Sequence, residues 1–231
     1  MENIEVEVEE TKLVDDGYYS DRYRPVPGGC VINNNDSTIG HPAYDNDAEE
    51  YIWTTAAHCV DRSSGKTIFQ PAYSRNAPDG NYIGDSDKYI PQGDGDAATI
   101  MPKYDDTVNN VEYRYAEDDG SYTDWVIYGT RSTDYLKDMA AYGESVYKQG
   151  ITTGRLSGKV LKVSSDEEWV TIDCDRDGGD SGGPYFDVNS SDEAYAVGLH
   201  KMGVDYDDDG TRDESKGNTM EFVNNYLNLS L

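Results

Sequence analysis

Apolar residues in this chain come in short runs broken by Gly, Pro, Asn and Asp, a pattern of strands and turns rather than of long helices. Residues 30–32, 51–55, 67–69 and 97–100 form a first set of such runs. Residues 125–128, 145–147, 158–163, 169–172 and 194–199 form a second. Two sets of similar length predict two β-barrels, over residues 23–105 and 122–216. The polar, Asp- and Asn-rich stretch 106–121 between them reads as a linker. Residues 1–22 are an acidic lead, within which Ile4-Glu5-Val6-Glu7-Val8 alternates as a strand does. The tail is different. Asn218 followed by Glu221 matches a helix start, and Met220, Val223, Tyr226 and Leu227 fall on one helical face. Residues 217–231 are therefore expected to form a short helix packed on the second barrel.

Charge narrows the partners. The 231 residues include 46 acidic and 19 basic side chains, a net charge of −27. A phosphate backbone calls for Lys and Arg, so no nucleic acid is expected as a partner, nor an anionic lipid surface. No run of 18 apolar residues is present, so no membrane-crossing helix is predicted. Self-repulsion at this charge works against a compact state in dilute buffer; at about 1 M salt the Debye length is only ~3 Å and the repulsion is screened. Asp outnumbers Glu by 31 to 15 and Lys numbers only 10, which predicts a protein adapted to high salt. Twenty Tyr, three Trp and 23 Gly favour a folded β-rich protein over a disordered acidic chain. Residues 1–10 have neither a basic start nor an apolar core and do not read as a secretory leader. Three cysteines allow one pair and one leftover thiol.

Chemistry concentrates in two motifs. Thr55-Ala56-Ala57-His58-Cys59 ends an apolar strand, and Gly179-Asp180-Ser181-Gly182-Gly183-Pro184 forms a Gly-rich turn before another. Acyl transfer requires a nucleophile, a base to take its proton and a group that orients the base. It also requires backbone N–H donors aimed at the developing oxyanion. Ser181, His58 and the glycines beside Ser181 meet those needs, and an Asp opens the apolar strand at 97–100. That Asp is Asp96, with Asp94 as the substitute.

These residues resemble the chymotrypsin/trypsin family of serine endopeptidases, in the compact branch of streptogrisins and α-lytic protease. Both family motifs stand intact and in the family's order of His, Asp and Ser, and weaker likeness spans residues 24–229. The resemblance implies an all-β fold of two six-stranded antiparallel β-barrels with a short C-terminal helix. By the same resemblance His58 is the general base, Asp96 its orienting carboxylate and Ser181 the nucleophile, with the N–H groups of Gly179 and Ser181 as oxyanion hole. It further implies a Cys30–Cys59 disulfide, with Cys174 left as a free thiol, and an extracellular setting. Lys148 falls where the branch carries an internal cation, and is expected either to pair with Asp180 or to be a solvated surface charge. The specificity pocket is expected to involve Asp175, Arg176, His200 and Lys201. His200, Lys201 and Arg176 point to acidic residues at the scissile bond; Asp175 points to basic ones.

The implied partner is a peptide or protein substrate, the expected state a monomer, and no cofactor or resident metal is expected. Calcium is the one open question: Asp205-Tyr206-Asp207-Asp208-Asp209-Gly210, with Asp213 at the ninth position, opens like a calcium loop, but Lys216 stands at the twelfth. The competing functional class is a catalytically silent module of the same fold, kept for binding or as a scaffold. Retention of every catalytic residue type argues against it.

Overall fold

The structure, a computed structural model, describes residues 19–33, 37–71, 81–91, 93–103, 111–204 and 214–231. The strand expected at 4–8 and the Asp-rich loop from Asp205 to Asp213 lie outside the described residues. The first half contributes β1 (Val26–Gly28), β2 (Val31–Ile32), β3 (Ser37–Thr38), β4 (Pro42–Asp45), β5 (Glu50–Thr55), β6 (Thr67–Phe69), β7 (Tyr82–Tyr89), β8 (Ala98–Pro102) and β9 (Val111–Tyr115). The second contributes β10 (Val126–Thr130), helix α1 (Thr133–Tyr142), β11 (Ser145–Gly150), β12 (Gly154–Val163), β13 (Trp169–Ile172), β14 (Pro184–Val188), β15 (Glu193–Val204) and β16 (Glu214–Thr219). Helix α2 (Met220–Leu227) and β17 (Leu229–Ser230) complete the chain.

The expected barrel of the second half is present. Strand β15 pairs with β14, and the ladder continues through β11, β12, β13 and β16 back to β15, so six antiparallel strands close on themselves. Strand β10 joins β15 from outside as a parallel seventh. Closure needs strands that bend, and the ladders carry an extra residue at Leu161 in β12 and at Val197 and Lys201 in β15. Close strand approach helps as well: a Cβ on Gly217 would lie 2.1 Å from Leu199 O. Leu136, Val146, Val160, Val170, Ile172, Tyr185 and Val197 fill the interior.

The first half departs from expectation. Six antiparallel strands run in the order β17-β4-β5-β8-β7-β6, and among the described residues the two ends do not pair, so a second closed barrel is not seen there. The end strands are short, two residues in β17 and three in β6. The separate ladders β1–β9 and β2–β3 occupy further backbone. Trp53, Tyr23, Ile68, Ile83 and Ile100 nonetheless share one buried core, and Trp53 Nε1 donates to Val26 O at 2.9 Å.

Three local expectations change. The stretch read as linker contains β9, which pairs in parallel with β1; residues 104–110 lie outside the described residues. Helix α1 was not expected. Ser132 caps it by accepting from Tyr135 N, Gly143 ends it in the left-handed region at φ 70°, and Leu136 and Met139 bury its inner face. Helix α2 is present, but Thr219 caps it rather than Asn218, by accepting from Phe222 N. The side chain of Asn218 is committed elsewhere, and β17 then carries the chain end back to β4 in the first half.

Candidate active site

Strand β5 ends in buried Thr54 and Thr55, and a short 3₁₀ helix, Ala57–Val60, follows at once and carries His58. Pairing of Thr55 with Ala98 sets the start of β8 beside that helix. Asp96, just before β8, therefore meets His58. The His58 N–H donates to Asp96 Oδ1 at 3.0 Å, and His58 Nδ1 lies 2.6 Å from Oδ2. The carboxylate is fully buried, while the imidazole side chain is 40% exposed. Asp96 N donates to Asn218 Oδ1 at 2.8 Å, and Arg62 Nη2 lies 2.9 Å from Asp96 Oδ1. Burial alone would raise the Asp96 carboxyl, but the bond and charge of His58, then Arg62, outweigh it and hold it below the usual range. The hydrogen bond to Asp96, and after it the Cys59 sulfur, raise His58 above the ordinary imidazole value. Asp94, the alternative, instead accepts from Tyr226 OH at 3.4 Å.

Ser181 lies in the turn before β14, and both halves of the molecule fix its backbone. Thr38 N donates to Ser181 O (2.9 Å), Thr38 Oγ1 to Gly179 O (2.8 Å) and Gly182 N to His200 O (2.8 Å). Cys59 Sγ faces Ser181 O at 3.6 Å, so the turn abuts the residue after His58. Among the described residues no hydrogen bond joins the Ser181 hydroxyl to His58.

The peptide planes around Ser181 have a defined direction. Gly178 O accepts from Thr152 Oγ1, and Asp180 O accepts from Gly183 N at 2.9 Å. In a trans peptide the N–H points opposite to the C=O. The N–H groups of Gly179 and Ser181 thus face away from those partners, and neither donates to another of the described residues. Gly179 at φ +95° and Gly182 at φ +84° adopt backbone that side chains disfavour. A Cβ on Gly182 would also lie 2.2 Å from Thr55 Oγ1.

Behind Ser181, Lys148 Nζ lies 2.6 Å from Asp180 Oδ2, with both side chains wholly buried. Thr153 Oγ1 bonds both groups, and the N–H groups of Thr152 and Thr153 donate to Asp180 Oδ1. Burial would raise the Asp180 carboxyl; Lys148 outweighs it and holds the carboxyl down.

The expected pocket residues separate into two groups. His200 is buried on β15, with Nδ1 2.6 Å from Tyr185 OH, and burial, then Lys148, push it down to about 3. Arg176 lies across Gly203, where an added Cβ would fall 1.4 Å from its Nε. These two flank the same stretch of β15. Lys201 is turned elsewhere: its Nζ sits 4.6 Å from the Trp169 ring, as does that of Lys216. Asp175 is exposed. Among the described residues no cluster of His, Cys, Asp or Glu is placed to hold a metal ion.

The expected Cys30–Cys59 disulfide is not formed; all three cysteines are free. Cys30 Sγ is buried and faces Pro27 O at 3.3 Å, whereas Cys59 Sγ faces Ser181 O, so the two sulfurs are directed to different partners. Burial raises the Cys174 thiol to about 11. Asn218, Thr38 and Tyr185 were invisible to sequence reasoning because strand pairing brings them to the site, and Arg62 because a turn of two left-handed residues does. His41 was missed too: fully buried, its Nε2 lies 2.9 Å from Gly198 O and its Nδ1 2.9 Å from Tyr115 OH. A cavity of about 630 Å³ lined by Tyr44, Tyr51, Val111, Tyr113, Ser230 and Leu231 contains none of the catalytic candidates.

No protein-family model matches this sequence, and no curated protein matches it significantly. Solved structures do. A Nocardiopsis protease superposes with a TM-score of 0.63 at 18% identity, covering 89% of this chain and 98% of its own. Thermobifida fusca protease A gives 0.62 at 19%, covering 89% and 97%. A glutamic acid-specific serine protease, described as using a histidine triad in substrate binding, gives 0.63 at 18%, covering 89% and 100%. At this identity the likeness speaks for architecture, and the architecture of this chain is that of the chymotrypsin-like serine proteases.

Proposed function

We propose that this chain is a serine endopeptidase of the streptogrisin-like kind, working at high salt. One observation carries the reading: the Asp96–His58 pair and the Ser181 turn, with two inwardly unsatisfied N–H groups, are contributed by opposite halves and meet at one place. In this mechanism Ser181 Oγ attacks the scissile carbonyl carbon as its proton passes to His58 Nε2. Asp96 holds the tautomer and stabilises the imidazolium. The oxyanion is received by the N–H groups of Gly179 and Ser181. Collapse breaks the C–N bond, with the His58 proton leaving on the amine. Water then attacks the acyl carbon as His58 takes its proton; collapse breaks the C–Oγ bond, His58 returns that proton to Ser181 Oγ, and the acid product leaves. Closing the Ser181–His58 hydrogen bond is left to substrate binding, as catalytic hydrogen bonds tighten in the Michaelis complex. The Lys148–Asp180 pair holds the loop carrying the oxyanion donors, which makes it the internal cation of this branch.

We further read the pocket as selecting acidic residues. Arg176 across Gly203 supplies positive charge, and in the tautomer where Tyr185 OH donates to His200 Nδ1 the proton sits on Nε2, the one to offer a substrate carboxylate. A histidine triad is not the device here: the chain has three histidines, and His41 and His58 are engaged elsewhere. The experiment is digestion of a mixed peptide library in molar salt. Cleavage after Glu or Asp is expected, abolished in Ser181→Ala. Cleavage after Arg or Lys instead would restore Asp175 as the selecting residue, and equal cleavage by Ser181→Ala would end the serine mechanism.

A further inference from the structure

The orienting carboxylate has a third partner. Asp96 Oδ2 faces His58 Nδ1, Oδ1 accepts from the His58 N–H, and Arg62 Nη2 reaches the same Oδ1 at 2.9 Å. The approach is built into the backbone. After the 3₁₀ helix, Asp61 and Arg62 both take left-handed conformations, at φ 54° and 48°, a conformation side chains adopt only under local compulsion. The Arg62 N–H donates to Ala57 O at 2.9 Å, which folds the turn back over the helix carrying His58. The Arg62 side chain is 23% exposed and Asp96 is wholly buried, so the pair is shielded from water on the carboxylate side.

We propose that Arg62 is a positioning residue: it fixes Asp96 Oδ1 so that Oδ2 stays aimed at His58 Nδ1, and it shares the carboxylate's charge with the imidazole. The inference rests on His58 being the base of the proposed reaction. A cation at Asp96 opposes protonation of the imidazole that faces the same carboxylate. Arg62 thereby keeps His58 available as a base at lower pH than an unshared Asp96 would allow. The other groups that bear on His58 are Cys59 on its own helix and His200 on β15, which burial keeps neutral. Lys66 also approaches, donating to Cys59 O at 3.2 Å, but it is paired with Asp61, so Arg62 is the cation in contact with Asp96 itself.

The test pairs a titration with a rate profile. His58 is followed by NMR of its imidazole protons in full-length protein carrying Ser181→Ala, with and without Arg62→Gln. The titration midpoint is expected to rise by about one pH unit in Arg62→Gln. In the Ser181 protein the acid limb of kcat/KM should rise by the same amount, with kcat lowered and KM little changed. Arg62→Lys, which keeps the charge and loses the planar shape of the guanidinium, should hold the midpoint near that of the parent while kcat still falls. A folded Arg62→Gln protein with an unchanged midpoint overturns the proposal. If Arg62→Gln does not fold, a midpoint in Arg62→Lys displaced upward by a full unit overturns it equally. Loss of the serine mechanism would appear separately, as activity indifferent to Ser181→Ala, and would leave the NMR result readable.

Discussion

A single lysine shows how much this site depends on buried charge. Lys148 and Asp180 are wholly buried at 2.6 Å, and three hydrogen bonds from Thr152 and Thr153 and one from the Asp177 N–H also reach the carboxylate. Removing one member of such a pair leaves the other as an uncompensated buried charge, which typically costs ~3–5 kcal/mol. Lys148→Met is therefore expected to lower unfolding free energy by that order in a denaturant titration in high salt. It should also impair turnover, since Asp180 precedes Ser181 and its carbonyl orients the Ser181 N–H. A variant as stable as the parent would mean that the pair contributes little to the fold. Candidate residues could be chosen from sequence where chemistry is written locally: His58 and Ser181 stand in short motifs and Asp96 opens an apolar strand. Arg62 and Asn218 carry no such signal. The first depends on two left-handed residues, the second on the register between β16 and its neighbours, and neither is encoded by spacing.

Among the elements, strands were legible and their closure was not. Short apolar runs located β5, β6, β8, β10, β11 and β13 to within a few residues, because alternate burial imposes a period on composition. Helix α1 escaped because only Leu136 and Met139 among its ten residues carry its buried apolar stripe, and Ser132 and Gly143 are common turn residues. Pairing is a non-local property, so nothing in the sequence distinguishes the ring β15-β14-β11-β12-β13-β16 from the open ladder of the first half. The cysteines follow the same rule. The family resemblance implied Cys30 with Cys59, but the turn after β1 sends Cys30 toward Pro27 O and the 3₁₀ helix sends Cys59 toward Ser181 O. Thiol titration of unreduced, denatured protein is expected to find three thiols per chain; finding one would contradict this arrangement.

For the whole molecule the dominant fact is charge. Ion pairs such as Lys88 with Asp45 and Asp47, or Arg131 with Asp187, engage part of the basic complement. The formal balance is still −27. Exposed like charges repel over a distance set by salt, about 10 Å at 0.1 M and ~3 Å at 1 M. The melting temperature should accordingly climb as KCl rises from dilute buffer toward molar levels. A melting temperature flat across that range would remove the high-salt reading while leaving the catalytic one intact. Composition gives the net charge without any structure, since charge adds up regardless of fold. The meeting of the two halves at His58 and Ser181 was legible only through the family resemblance.

The central claim is that Ser181 is a nucleophile activated by His58. A fluorophosphonate reacts with an activated serine and spares ordinary ones, so labelling followed by peptide mass spectrometry in molar salt addresses it directly. The account predicts one adduct per chain, on Ser181, lost in His58→Ala protein that remains folded. Absence of an adduct on the folded parent chain, or labelling of Ser181 undiminished by His58→Ala, would contradict it.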